Sequence, residues 1–267
     1  MMPAVSKTRY RQTCAAGFLL TDTGYSPGFT RATHVHDLAE FCFVLDGRLL
    51  ETVGPSSLPA LRFDMTFKPA GVAHRSEASG NGARCLVIEV PTSRLKPDEA
   101  LARRLDAPVF FGNGVLAPLG LRVYRELRSG DELSPLVIEG TALELLAEAS
   151  RAPRIATVRS PPWMEKVREL LHDCFTQALS QADIARAVGV HPVHLAQVFR
   201  REHDCTIGQY IRQLRVNCVR QQLAVTDRPL AEIALASGFC DQGHMTRTFK
   251  RLTGTTPGNY RRHPTAA

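Results

Sequence analysis

The chain says nearly the same thing twice. Residues 182–189 read Ala-Asp-Ile-Ala-Arg-Ala-Val-Gly and residues 231–238 read Ala-Glu-Ile-Ala-Leu-Ala-Ser-Gly. Downstream, His194 to Tyr210 aligns with His244 to Tyr260, with Phe199/Phe249, Arg200/Lys250, Arg201/Arg251, Thr206/Thr256, Gly208/Gly258 and Tyr210/Tyr260 in register. The offset is 49 residues before the turn and 50 after it, so the second turn holds one extra residue. Two copies are too few for a solenoid, so each is a compact unit with its own job.

Each copy spells two short helices about a glycine. Ser180 is placed to cap the first helix, and Ile184, Ala185 and Val188 give it a buried face. Gly189 stops it where a positive φ is needed, and His191-Pro192 restarts the chain with proline at the first helical position. The second helix turns Leu195, Val198 and Phe199 inward and leaves His194, Gln197, Arg200 and Arg201 outward. The second copy repeats this with Ile233-Ala234, Gly238, an Asp241 cap and inward Met245, Thr248 and Phe249. Gln242, Gly243, His244, Thr246, Arg247 and Lys250 are left on its other faces. A short helix, a tight turn and a basic second helix make the shape that enters a DNA major groove. The alternative is two helical hairpins with solvated charges, but matched turns, caps and basic residues in both copies argue against it.

Between the copies, Ile207, Tyr210, Ile211, Leu214 and Cys218 recur at helical spacing, with Arg212, Arg215 and Arg220 off that stripe. A helix from about Ile207 to Ala224 is roughly 27 Å long. That approaches the ~34 Å between successive major grooves on one DNA face, so one chain can offer both second helices to adjacent grooves.

Residues 163 to 262 resemble the DNA-binding domain of AraC/XylS-type transcription regulators. The matching words are Ile184-Ala185…Gly189-Val190, Leu195…Val198-Phe199-Arg200, Ile233-Ala234…Gly238-Phe239…Asp241-Gln242, and 246–250 followed by 257–261. The resemblance implies a DNA-reading set of Val193, His194, Ala196, Gln197, Arg200 and Arg201 in the first copy. In the second copy it implies Gln242, Gly243, His244, Thr246, Arg247, Lys250 and Arg251. Arg247 matches the family arginine that commonly touches a base. Gln197 stands in its place in the first copy, with Val193 and Ala196 offering only apolar contact. Asp204 departs from the pattern where Gly254 ends the helix in the second copy, and Gly243 stands where a serine-like phosphate contact is common.

Charge follows this division. Of the net +7, residues 161–267 hold 14 Lys+Arg against 9 Asp+Glu, and residues 1–160 hold 19 against 17. The basic excess therefore sits where phosphate docking needs it. Seven cysteines, an odd number without a CxxC pair, argue against a disulfide framework or a zinc knuckle and for a reducing compartment. Cys42 and Cys85 fall in apolar runs and read as packing, a thiol sensor being the alternative. No stretch of 18 apolar residues and no signal-peptide pattern occurs, so the expectation is a cytoplasmic protein without a membrane partner.

The first 27 residues are polar and read as an arm. Strands are expected over Phe41–Leu45, Arg48–Val53, Leu61–Lys68 and Arg84–Val90, parted by turns at Asp46-Gly47, Gly54-Pro55 and 69–71, which indicates a β-sandwich or small barrel. Within it lies Gly28-x5-His34-x-His36-x3-Glu40-x6-Gly47, followed by Pro69-x-Gly71-x2-His74. His34, His36 and Glu40 share parity, so a continuous strand would aim all three at one face. The three histidines before residue 161 all stand here.

This spacing resembles the two motifs of the cupin superfamily over roughly residues 28 to 90. The second motif lacks its leading glycine and has Ala78 for the terminal asparagine. Three imidazoles and a carboxylate suit zinc, iron, manganese or nickel. The weakened second motif favours the other reading, in which His34, His36, Glu40 and His74 line a pocket for a small-molecule effector. Residues 98–152 turn helical, with Leu101, Leu105, Leu119, Val123, Leu127, Val137-Ile138, Thr141-Ala142 and Leu145-Leu146 at helical spacing. The resemblance to AraC/XylS-type regulators implies that such helices pair subunits in a homodimer; the alternative is that they cover an open face of the barrel.

The expected architecture is α+β. A cupin-like β-barrel followed by helices (1–152, effector sensing and dimerisation) is joined by a linker (153–162) to an all-α domain with two helix-turn-helix motifs (163–267). The expected function is a sequence-specific, double-stranded-DNA-binding transcription regulator and not an enzyme, with RNA polymerase as a further partner. A metal-dependent cupin enzyme with a helical appendage is the alternative, but it leaves the repeat without a purpose.

Overall fold

The computed structural model describes residues 7–54, 56–95, 103–112, 114–151, 161–203 and 205–262. The 153–162 linker up to residue 160, Leu101 and Asp204 lie outside them. The chain divides into two compact units, Met1–Val158 and Arg159–Ala267.

The first unit is an eight-stranded antiparallel sheet in the order β1-β2-β7-β4-β6-β8, with β3 on β7 and β5 on β4. The strands are β1 (Lys7–Ala15), β2 (Phe18–Tyr25), β3 (Thr30–His34), β4 (Ala39–Val53), β5 (Ser56–Leu61), β6 (Met65–Lys68), β7 (His74–Val90) and β8 (Val109–Phe111). Among the described residues β1 and β8 share no ladder, so the barrel is open along that seam. The expected arm is therefore wrong from Lys7 onward. β2 is buried over most of its length and pairs with β7 from Leu19↔Glu89 to Tyr25↔Ala83. Its polar residues misled because they are partnered inside: Asp22, fully buried, accepts from Arg84 Nε at 2.9 Å and Nη2 at 2.7 Å.

Asp46-Gly47 is not a turn. It is an irregularity inside the single long strand β4, where the β4–β7 register shifts twice. Gly47 has φ 74°, and a Cβ there would lie 2.0 Å from the Gly82 carbonyl oxygen. Only glycine lets the two strands cross this closely. The kink lets one strand serve two walls of the barrel. Leu61–Lys68 is likewise two strands, broken at 62–64. Phe41, Phe43, Phe67 and Leu86 fill the core. Two helices follow, α1 (Ala117–Ser129) and α2 (Ser134–Arg151), packed on each other. They bury Val123, Leu127, Ile138, Thr141, Ala142, Leu145 and Leu146, as the helical spacing requires.

The second unit is all helix: α3 (Pro162–Cys174), α4 (Gln181–Val188), α5 (Pro192–His203), α6 (Ile207–Val225), α7 (Leu230–Ala236), α8 (Gln242–Thr253) and α9 (Pro257–Arg262). A full capping box between Thr206 and Gln209 opens α6. Its 19 residues give about 28 Å. Val216, Val219 and Leu223 of α6 form one core with Ile233, Phe239, Met245, Phe249 and Tyr260. The same aromatic pair recurs in both copies, edge-on: Phe199–Tyr210 at 5.4 Å and Phe249–Tyr260 at 5.5 Å between ring centres. Arg220 does not reach solvent beside the α6 stripe. It is buried, with Nη1 3.4 Å from the Asn217 amide oxygen.

Candidate nucleic-acid interface and effector pocket

Both glycine turns have the left-handed conformation the motif demands, at φ 70° for Gly189 and 82° for Gly238. With Leu195, Val198 and Phe199 of α5 and Met245, Thr248 and Phe249 of α8 buried, helical geometry fixes what remains outside. On α5, Val193, His194, Gln197, Arg200 and Arg201 are exposed and Ala196 is half-buried. On α8, Gln242, Gly243, Arg247, Lys250 and Arg251 are exposed, and His244 and Thr246 are half-buried.

Two of these residues carry duties within the fold. The His244 Nδ1 lies 3.2 Å from Cys240 Sγ, and its ring stands edge-on to Phe239 at 5.3 Å. Its backbone N–H donates to Asp241 Oδ1 at 2.6 Å, which fixes the start of α8. His194 lies with its ring 5.7 Å from that of Trp163. Gly243, one turn before Arg247, leaves room for the guanidinium: a Cβ there would come within 3.3 Å of Arg247 Nη1. Gly254 ends α8 at φ 78°.

In the first unit His34, His36 and His74 come together, but not from one strand. His34 closes β3, His36 sits in the connection, and Glu40 is inside β4. His34 is the cross-strand partner of His74, so their rings are neighbours by register, 4.3 Å apart. His34 Nε2 is 3.1 Å from His36 Nε2. Ligand nitrogens of all three lie within 4.8 Å of one another, a set that fits a metal ion.

Glu40 borders that set, its Oε2 3.7 Å from His36 Nε2. It is the register partner of Lys68 across β4 and β6, and its Oε1 is 3.0 Å from Lys68 Nζ. Lys68 also donates to Glu51 Oε2 at 2.8 Å, and Ser76 Oγ donates to Glu51 Oε1 at 3.1 Å. Burial disfavours the charged Lys68, but Glu51 and Glu40 outweigh it and hold the ammonium charged. Burial likewise pushes Glu40 up, and Lys68 and His36 more than reverse it. Burial lowers the pKa of His36 and of His74, against the pull of Glu40 on the first. These groups line a cavity of about 60 Å³ together with Arg9, Arg31 and Tyr25. Sequence reasoning missed Lys68 and Glu51; the signal available for Lys68 was a lysine at the end of a largely apolar run. Cys42 and Cys85 are buried in the core, and the Cys42 contact and burial raise the Cys85 pKa.

A family model described as a helix-turn-helix domain matches residues 184–263. The regulatory protein SoxS of Salmonella typhimurium is 32% identical over 93 residues, 35% of this chain and 87% of that protein. The melibiose operon regulatory protein of Escherichia coli K12 is 28% identical over 144 residues, 54% of this chain and 45% of its own length. The bifunctional transcriptional activator/DNA repair enzyme AdaA of Bacillus subtilis is 27% identical over 99 residues, 37% of this chain and 47% of its own. The chain thus spans less than half the length of these last two relatives. Its doubled glycine-turn motif, and a match covering nearly all of SoxS, place it: the chain belongs to the AraC-type helix-turn-helix transcription regulators.

Proposed function

We propose that the chain is a sequence-specific transcription regulator that docks α5 and α8 in successive major grooves of duplex DNA. A small effector in the barrel cavity controls that docking. The observation that carries the reading is the doubling of one exposed polar face, Gln197, Arg200 and Arg201 on α5 and Arg247, Lys250 and Arg251 on α8. Each face is backed by the same buried aromatic pair. In this reading Arg247 and Gln197 read bases, and Arg200, Arg201, Lys250 and Arg251 meet phosphates. Val193 and Ala196 offer thymine methyls an apolar contact. His244 braces the turn through Cys240.

The test is selection of bound fragments from random genomic duplexes by the full chain, then affinity against salt. The logarithm of affinity should fall with that of salt by about 0.9 per phosphate neutralised. A flat response rejects groove docking.

A further inference from the structure

Three cations at the rim of the barrel cavity lack a carboxylate. Lys7 and Arg9 stand two residues apart on β1, on one face of that strand, and Arg31 comes from β3; all three line the cavity. Among the described residues none of the three forms an ion pair, whereas Arg84 and Arg94 of the same unit each do, with Asp22 and Glu139. Lys7 Nζ stands over the Tyr25 ring, 5.6 Å from its centre. Arg9 Nη1 donates to Gln12 Oε1 at 2.8 Å, and Gln12 Nε2 donates in turn to Thr21 Oγ1 at 3.1 Å. A neutral chain thus orients the Arg9 guanidinium and leaves its charge unbalanced.

The carboxylates that line the cavity do not supply the balance. Glu40 and Glu51 share the buried Lys68, within 3.0 and 2.8 Å of its ammonium. Glu89 is the one left at the rim, and three cations against one carboxylate leave two positive charges there. Lys7 registers the excess. Burial first, then Arg31 and to a lesser degree Arg9, lowers its pKa against the pull of Glu40. Concentrated charge of one sign at the mouth of a cleft draws a ligand of the opposite sign. Guanidinium groups suit a carboxylate, which they meet with two parallel hydrogen bonds.

Size and lining limit the rest of the ligand. The cavity of about 60 Å³ has room for roughly four to six water-sized positions, at about 10–15 Å³ each. Its inner wall is polar, with His34, His74, Glu51 and Ser76. A long apolar tail finds neither space nor apolar partners there.

We infer that the barrel cavity takes a short, polar organic carboxylate, its charged end held at the rim by Lys7, Arg9 and Arg31. This deepens the proposed effector role of the cavity and rests on it only for the consequence at DNA.

The test uses the full chain, purified without a histidine tag, in a buffer low in competing anions. Glycolate, lactate and malonate are titrated by calorimetry, with neutral lactamide as the uncharged match of lactate. Saturable binding of at least one carboxylate is expected, one per chain, with lactamide at least about tenfold weaker than lactate. Arg9→Gln and Arg31→Gln should each weaken the bound carboxylate by about 10–100-fold. Arg151→Gln removes the same charge at the end of α2, away from the cavity lining, and should change affinity less than about twofold. Circular dichroism checks the fold of each variant, and the wild-type titrations decide binding without any variant.

No binding of any of the three carboxylates by the wild-type chain overturns the site. Equal affinity for lactate and lactamide overturns the role of charge. A loss in Arg151→Gln equal to that in Arg9→Gln overturns the rim assignment, and inorganic phosphate bound more tightly than every carboxylate overturns the ligand class. Duplex affinity is measured in the same samples. A carboxylate bound with DNA affinity unmoved sinks the effector reading and spares the anion site. A neutral ligand that shifts DNA affinity, with no carboxylate bound, does the reverse.

Discussion

The two helix-turn-helix copies share a frame and differ in how it is held. The first caps its leading helix, Ser180 Oγ accepting from the Asp183 N–H at 3.1 Å, and opens its second helix on a weaker contact from Val193 N–H to His191 Nδ1 at 3.3 Å. The second opens its leading helix after Pro229 with no side-chain cap and places the strong cap, Asp241, on the helix that carries Arg247. Their turns differ as well: Gly189 faces open space, whereas a Cβ on Gly238 would lie 2.6 Å from Thr176 Cα. Identical motifs in one chain thus place their strongest constraints at different points. In the second copy those constraints fall at the reading helix and its turn.

Breaking the turns gives the largest contrast. Gly189→Ala must adopt a positive φ but meets no atoms, and should cost about 1–2 kcal/mol. Gly238→Ala adds a backbone collision to the same strain and should cost upwards of about 3 kcal/mol. Urea unfolding followed at Trp163, the single tryptophan of the chain, measures both. Equal losses would remove the asymmetry.

The next effect is a pH dependence confined to the first copy. His203 ends α5 against Phe199, ring centres 4.3 Å apart, and its counterpart 50 residues on is Thr253, which does not titrate. Burial, with Arg168 nearby, lowers the His203 pKa to about 4 from an ordinary 6.5. As pH falls from 6.5 toward 4 the unfolded chain takes up a proton that the folded chain refuses. Stability is therefore full above pH 6.5 and is lost toward pH 4, by about 2–3 kcal/mol. His203→Leu should flatten this slope in urea midpoints measured between pH 4 and 7. An unchanged slope would mean His203 does not set it.

The smallest expected effect is the most specific. Arg247→Ala should relax the preference at one base pair by about 1–3 kcal/mol, read by competition among single-base operator variants. Gln197→Ala, its counterpart on α5, should relax a different base pair by no more than that. If Arg247→Ala weakens every sequence alike, Arg247 is a phosphate contact.

The helical unit was far more legible than the barrel. Ser180, Gly189, Pro192, Asp241 and Gly254 act on residues within one turn of themselves, so their spelling carries their geometry. The barrel's pairs lie far apart in the chain: Arg84 seeks Asp22, 62 residues away. A polar strand such as β1–β2 then looks like an arm until its partners are known. Asp46-Gly47 spells a turn, and only the crossing of β4 over β7 makes it a kink.

By itself the sequence determined that there would be two helix-turn-helix units with basic reading helices, and that three histidines would share one region of a β-rich unit. Both follow from local periodicity and from residue types with few structural substitutes. Tertiary structure alone decided how Glu40 is shared. Glu40 has the right spacing for the cluster and keeps its Oε2 3.7 Å from His36 Nε2, but β6 brings the buried Lys68 opposite it, and that ammonium takes its other oxygen. Arg220 was settled the same way. Its place on α6 put it off the apolar stripe, and the packing of α7 to α9 against that helix buried it.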